Sequence, residues 1–398
     1  MTRIRLEELP PADNLMPEEM EQIVGAGRTS FRPMLEGLET RDLMAAHFSG
    51  ALLPGLPEGA RPLSSLTGQA LPAHTPQVFG MQASYGRQRV ADLSGLSVIE
   101  ALKAGSNWII YEPITSHPGQ WVGETQIRKE LQMLYNRGFR GLVTYAFDNG
   151  REEIPRIAKE IGFQQVIAGL WAVQNYQGEK ANLTPARLKY IDGLVVGNEV
   201  RWRNDYSLDE LRRRVNEIKA LSGKPTTTAD AWHLYTRNHE PALMQIGDWV
   251  FPNLHPFYER DWPEAHRSPE KGFEFLTNVL AEHFNAAKTG GKLVALHESW
   301  WPSAQDGDIG DPTYRGSGTP AHQKRYFELL AQSGVVFVYG EAFDQSWKGN
   351  EGDVPAMGRF GTHWGLWHDT TTPKDVIGAI QTGYRPGYRP PLRPTRQP

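Results

Sequence analysis

Two acidic residues stand where a strand hands over to a loop. Glu199 closes the apolar run GLVVGNE at residues 193–199, directly after Asn198, and Glu298 closes LVALHE at residues 293–298. Runs of this kind read as buried strands, so each carboxylate is delivered at a strand end rather than on a helix face. Two carboxyl groups facing one another across an opening suit glycosidic cleavage. One protonates the leaving oxygen and the other meets the positive charge that develops at the anomeric carbon. Indoles follow closely in sequence: Trp300 and Trp301 after the second acid, and Trp347 after the last apolar run. Their faces can stack on the C–H side of sugar rings, and Trp301 and Trp347 are the two best placed to form an acceptor platform.

The elements that must position these residues alternate regularly. Apolar runs occur at residues 107–112, 141–147, 165–171, 193–199, 226–231, 249–255, 293–298 and 335–343. Amphipathic stretches at 125–137, 152–161, 208–221, 272–288 and 321–332 separate them and read as helices. Such βα units with right-handed crossovers predict an α/β fold, a (β/α)8 TIM barrel with its working residues at the C-terminal strand ends. A doubly wound open sheet is the competing arrangement, but no G-x-G-x-x-G or Walker loop accompanies the first strand. In the barrel the fourth and seventh strands face each other, which sets Glu199 opposite Glu298. Asp230 and Trp232 follow the fifth strand and are expected to line the cleft. His255 and His297 point at the mouth by strand position and could orient a nucleophile.

Composition narrows the alternatives. The 398 residues carry 42 Lys+Arg against 46 Asp+Glu, a net charge of -4, which gives no basic field for nucleic acid. The absence of cysteine removes disulfides, thiolate metal sites and cysteine nucleophiles. Histidines are scattered without H-E-x-x-H, so neither a metal site nor a cofactor is expected. No apolar run reaches the ~18 residues of a membrane span. All twelve Trp fall between Trp108 and Trp367. They divide the chain into an N-terminal extension and linker (1–76), a barrel domain (77–382, opening with a possible strand at 77–84) and a Pro/Arg-rich tail (383–398) expected to be disordered. Arg32, Pro33, Leu35, Glu36, Leu38, Glu39 and Arg41 resemble a short segment near the N-terminus of some exported bacterial proteins, which suggests an exported location in a bacterium. Nothing in the sequence sets the oligomeric state.

The motifs VGNEV (196–200), TADAW (228–232), NLHPFY (253–258), ESWWPS (298–303) and EAFDQSWK (341–348), with WGLW (364–367) behind them, occur in the order of glycoside hydrolase family 17. The chain resembles that β-1,3-glucanase family over residues 107–380. The resemblance implies Glu199 as general acid/base and Glu298 as nucleophile of a retaining enzyme acting on β-1,3-glucan. Asn198 would hydrogen-bond the sugar 2-OH, and Tyr111 and Tyr145 would lie beside the donor sugar. Tyr258, Glu341, Asp344 and Lys348 are further motif residues expected to contact substrate. The sequence departs from many members at Val143, Phe257, Gln345 and Gly361, where Arg, Tyr, Glu and Glu are common. Two alternatives remain at this stage: a β-1,3-glucanosyltransferase with the same catalytic pair, and a barrel that only binds polysaccharide.

Overall fold

The computed structural model describes residues 89–386, apart from 115–116, 118, 237–240, 260–261, 307–313, 315–316 and 351–359. The extension 1–76 and the strand expected at 77–84 lie outside the described residues, as does the chain beyond residue 386.

Six strands run parallel and pair in sequence order: β1 (Trp108–Ile110), β2 (Gly141–Val143), β3 (Gln165–Leu170), β4 (Gly193–Asn198), β5 (Thr226–Ala231) and β6 (Phe251–Asn253). Apart from the half-buried Ala231, every residue in them is buried, as a parallel sheet covered on both faces requires. The seventh and eighth apolar runs enter as bridged segments rather than full strands. Parallel bridges join Val250 to Val294, Asn253 to Glu298, Leu296 to Phe337, and Ile109 to Tyr339. Pro252 has no N–H, so the rung between the bonds Val250 N to Leu293 O and Leu254 N to Glu298 O is missing. The result is a parallel α/β half-barrel of the TIM-like kind.

Helices cover the sheet, and their ends follow from local chemistry. Ser207, Ser268 and Thr319 each accept a hydrogen bond from the backbone N–H three residues on, capping helices Leu208–Ser222, Pro269–His283 and Pro320–Ser333. The helix expected at 272–288 therefore begins earlier, at the Ser-Pro signal, and ends at His283. Seven of the twelve indoles are buried, Trp108, Trp232, Trp249, Trp300, Trp301, Trp364 and Trp367, so most of the Trp surplus fills the core. Toward the C-terminal end of the described residues, Tyr384 pairs antiparallel with Gly105, and the buried Arg385 donates to the carbonyls of Leu102, Val335 and Phe337. A guanidinium offers five donors, so an arginine counted as unpackable from composition instead satisfies three open carbonyls.

Candidate active site

The turn that carries Glu199 is built by irregularity. Between Val195 and Asn198 the register of β4 against β5 shifts, pairing Val195 with Thr227 but Asn198 with Ala229. The extra residue on β4 is a bulge, which re-aims the side chains beyond it. Gly197 (φ 76°) and Glu199 (φ 57°) both take left-handed backbone. For a glutamate that conformation costs about 1 kcal/mol, so the surroundings must hold it. Asp230, fully buried on β5, accepts from the backbone N–H of Arg201 (2.8 Å) and Trp202 (3.2 Å) and fastens the loop directly after Glu199. The Glu199 carboxylate receives one short hydrogen bond, from Asn253 Nδ2 to Oε1 at 2.9 Å, and has Arg203 Nη1 3.9 Å from Oε2.

Glu298 has a different environment. Oε1 accepts from the Tyr145 hydroxyl at 2.9 Å and from Asn198 Nδ2 at 3.2 Å, and Oε2 lies 3.2 Å from His255 Nε2. The other His255 nitrogen, Nδ1, faces the Trp300 backbone N–H at 3.4 Å, so Nδ1 accepts and Nε2–H donates to Glu298. Trp300 lies over Gly340, where an added Cβ would come within 2.6 Å of the indole. Any side chain there would displace the ring that borders His255, 5.5 Å between centroids.

The two acids are pushed apart in acidity. Burial raises Glu199, and the negative charge of Glu298 adds to the effect. Burial also pushes Glu298 upward, but it is outweighed by the His255 hydrogen bond and then by the His297 and His255 imidazoles and the Lys348 ammonium. The net shift of Glu298 is downward. His297 itself is pushed down to about 4 by burial, so near neutral pH it is an uncharged donor. The two carboxyls are therefore pushed in opposite directions, the kind of separation that lets a pair divide acid and nucleophile roles.

The remaining sequence expectations separate into two groups. Tyr258 edges onto Trp364 (5.2 Å between centroids) and His255 (6.1 Å). Lys348 binds both oxygens of the buried Glu341, at 2.8 and 2.9 Å, with its ammonium 5.6 Å from the half-buried Trp347 ring and 5.9 Å from Trp300. Burial raises Glu341 to about 7 despite that lysine. Tyr258, Glu341 and Lys348 lie within electrostatic reach of the pair, and Trp347 stands beside Lys348. Five others are engaged elsewhere. Tyr111 is fully buried and donates to Glu130 on helix Glu124–Asn136 at 2.8 Å, so it faces the covering helix rather than the donor sugar. Asp230 is captured by the backbone donors named above. Trp232 packs on Phe275 and His283 of helix Pro269–His283 and donates to Glu259. Trp301 is fully buried between Phe257 and Tyr326, its N–H held by the Ser317 carbonyl at 2.7 Å. Asp344 is spent on Lys374 (2.6 Å), the Gly365 N–H (2.9 Å) and His368 (2.8 Å), tying one loop to the next. Gln345, at a position where many members carry Glu, is buried and donates to the carbonyls of Glu112 and Pro113 at the end of β1.

Asn253 is not among the sequence candidates, although it opens the motif NLHPFY. Its signal was spacing: Asn253 and His255 are two apart on one extended segment and so share a face. Glu179 was also missed. Buried, it accepts from the N–H groups of Phe147, Trp171 and Ala172 and pins the loops after β2 and β3.

A TIM-like α/β half-barrel that sets such a carboxyl pair at its strand ends is the frame of a glycosidase or transglycosylase. The model of the BtgE/BtgC glycoside hydrolase domain matches residues 109–365, and the chain belongs to that family. It is 27% identical over 272 residues to a glucan 1,3-beta-glucosidase of Arthroderma benhamiae, covering 64% of this chain and 85% of that one. With a glucan 1,3-beta-glucosidase of Saccharomyces cerevisiae it shares 22% identity over 277 residues, again 64% and 85%. The crystal structure of a glycoside hydrolase family 17 beta-1,3-glucanosyltransferase from Rhizomucor miehei superposes with a TM-score of 0.52 at 19% identity, covering 69% of this chain and 96% of that chain. The family resemblance read from the motifs is borne out. The relatives are fungal proteins, and the expectation of a bacterial source finds no support in them. Among the described residues no helix is long and apolar enough to cross a membrane.

Proposed function

We propose that the chain is a retaining (β/α)8 glycoside hydrolase that cleaves β-1,3-glucan through a covalent glucosyl-enzyme intermediate. The observation that carries this reading is the unequal surroundings of two neighbouring carboxyls: Tyr145, Asn198 and His255 surround Glu298, whose acidity is pushed toward the ionised form, while burial and the Glu298 charge push Glu199 toward the protonated form. In the first step Glu298 attacks the anomeric carbon, the bond to the leaving oxygen breaks, and that oxygen takes the Glu199 proton. In the second, Glu199 removes a proton from water as the water oxygen displaces Glu298, and free sugar departs. The names of the fungal relatives support β-1,3-glucan as substrate.

A second reading keeps the same chemistry with a sugar hydroxyl in place of water, giving β-1,3-glucanosyl transfer. Half-buried Trp347, beside His117 (5.6 Å) and Lys348, favours it as a stacking face near the pair. Trp301, buried in the core, drops out of that platform. Chromatography of laminari-oligosaccharides over time tests both readings. Shorter products alone indicate hydrolysis, products longer than the substrate indicate transfer, and an unchanged oligosaccharide contradicts the proposal.

A further inference from the structure

The polar side chains linking the two carboxylates form a chain whose hydrogen-bond polarity runs one way. Ionised Glu298 can only accept, so the Asn198 group 3.2 Å from its Oε1 is the NH2. Asn198 Oδ1 then faces Asn253, whose Nδ2 donates to it at 3.0 Å and to Glu199 Oε1 at 2.9 Å. Asn253 Oδ1 is left facing His297 Nδ1 at 2.9 Å, which places the imidazole hydrogen on Nδ1. Asn253 and His297 are 2% and 1% exposed, so solvent does not compete for these bonds. The Asn253 amide is thereby fixed with its NH2 toward Glu199, and an oxygen already facing an N–H has no room on that side for a hydrogen of its own.

We propose that Asn253, oriented by His297, is a positioning residue that reserves Glu199 Oε1 as an acceptor and so assigns the catalytic proton to Oε2. The inference rests on the reading of Glu199 as acid/base. In the first step Oε2–H is given to the leaving oxygen, and in the second the same oxygen takes the proton of the incoming water or sugar hydroxyl. Without Asn253 the carboxyl can rotate and carry its proton on either oxygen, which matters only where the leaving group needs protonation. The Asn253 bond also favours the ionised form of Glu199, as Arg203 and His255 do, against the negative charges of Glu298 and Asp230, with Tyr145 and Tyr258 also facing it.

The test compares Asn253→Ala, His297→Leu, His297→Asn and Glu199→Ala on laminari-oligosaccharides and on dinitrophenyl β-glucoside, whose leaving group needs no acid. For Asn253→Ala, kcat/KM should fall about 100-fold on oligosaccharide and no more than about threefold on the aryl glucoside. The alkaline limb of its oligosaccharide pH profile should move upward by about half a pH unit, because a bond to the ionised form is lost. His297→Leu should repeat this pattern at about tenfold, and His297→Asn, which keeps an N–H near the Nδ1 position, should restore most of the activity. Equal losses on both substrates with an unmoved alkaline limb would reduce Asn253 to a structural role and overturn the inference. If Asn253→Ala gives no cooperative melt, the contrast between His297→Leu and His297→Asn decides the matter. Glu199→Ala separates the two levels: if it retains oligosaccharide activity, the acid/base reading itself fails. If it loses that activity while the Asn253 and His297 variants behave as wild type, only the positioning inference fails.

Discussion

Glu199 and Glu298 are the same residue type at equivalent strand ends, with side chains 25% and 10% exposed, yet their acidities move in opposite directions. Burial alone would raise both, and the more buried one further. What separates them is their partners: Glu298 has the His255 hydrogen bond with His297 and Lys348 nearby, besides Tyr145 and Asn198, while Glu199 meets Asn253 and a guanidinium at 3.9 Å. The His255 hydrogen bond, together with the His297 and His255 imidazoles and the Lys348 ammonium, favours the ionised form of Glu298 enough to outweigh desolvation. The neighbouring anion then adds its repulsion to the less supported partner. Role assignment in this pair is therefore set by the residues around the acids rather than by the acids themselves.

The comparison breaks most completely when the supported acid is removed. Glu298→Ala should lower kcat on oligosaccharide by on the order of 10⁵-fold, as expected for loss of a nucleophile. Added azide should restore turnover of an activated β-glucoside and yield the α-glucosyl azide, detectable by mass spectrometry and NMR. Recovery of the β-azide instead would place the nucleophile elsewhere.

Removing one donor sharpens the comparison without abolishing it. Tyr145→Phe takes away a bond to a charged group worth about 1.5–3 kcal/mol, so kcat/KM should fall roughly 10- to 100-fold. The acid limb of the pH profile, which reports ionisation of Glu298, should move upward because its anion is less well held. An unmoved acid limb would remove Tyr145 from the set of donors that matter.

The indoles offer a parallel contrast of smaller size. Trp347→Ala should lower the ratio of transfer to hydrolysis products several-fold, the equivalent of about 0.5–1.5 kcal/mol of ring contact, with little change on a small aryl glucoside. An unchanged ratio would leave Trp347 as a packing residue.

Much of this arrangement is legible in the sequence. The βα alternation located β1 to β6 and the two bridged segments, and it set Glu199 and Glu298 at facing strand ends. Side-chain direction was harder to read. Trp300 and Trp301 are adjacent, so on extended backbone only one can face the mouth, and packing gave that direction to Trp300. Tyr111 follows its strand as Tyr145 follows its own. One turns to Glu130 on a helix and the other to Glu298, a choice made by a partner far away in sequence. Asp230, expected to line the cleft, is held by backbone N–H groups of the turn after Glu199, and no spacing rule reveals an acceptor for a neighbouring loop.

The smallest effect concerns stability. Burial raises Glu130, Glu179, Asp230 and Glu341 each to about 7. In the unfolded chain these groups titrate near 4, so the folded state binds more protons between about pH 4 and 7. Their contribution is complete below that window and is lost as pH rises through it. The melting temperature should be a few degrees higher at pH 5.5 than at pH 7.5 by scanning calorimetry. A rise in melting temperature over that interval would contradict the picture of buried, protonated carboxyls.

The central claim is that Glu298 forms a covalent glucosyl-enzyme while Glu199 serves first as acid and then as base. The anomeric configuration of the first product, followed by proton NMR in the minutes before mutarotation, tests it most directly. Two successive displacements predict that cleavage of a β-1,3-oligosaccharide releases the β-anomer first, with the α-anomer appearing only as the sugar equilibrates. Initial release of the α-anomer would mean a single displacement by water and would contradict the account.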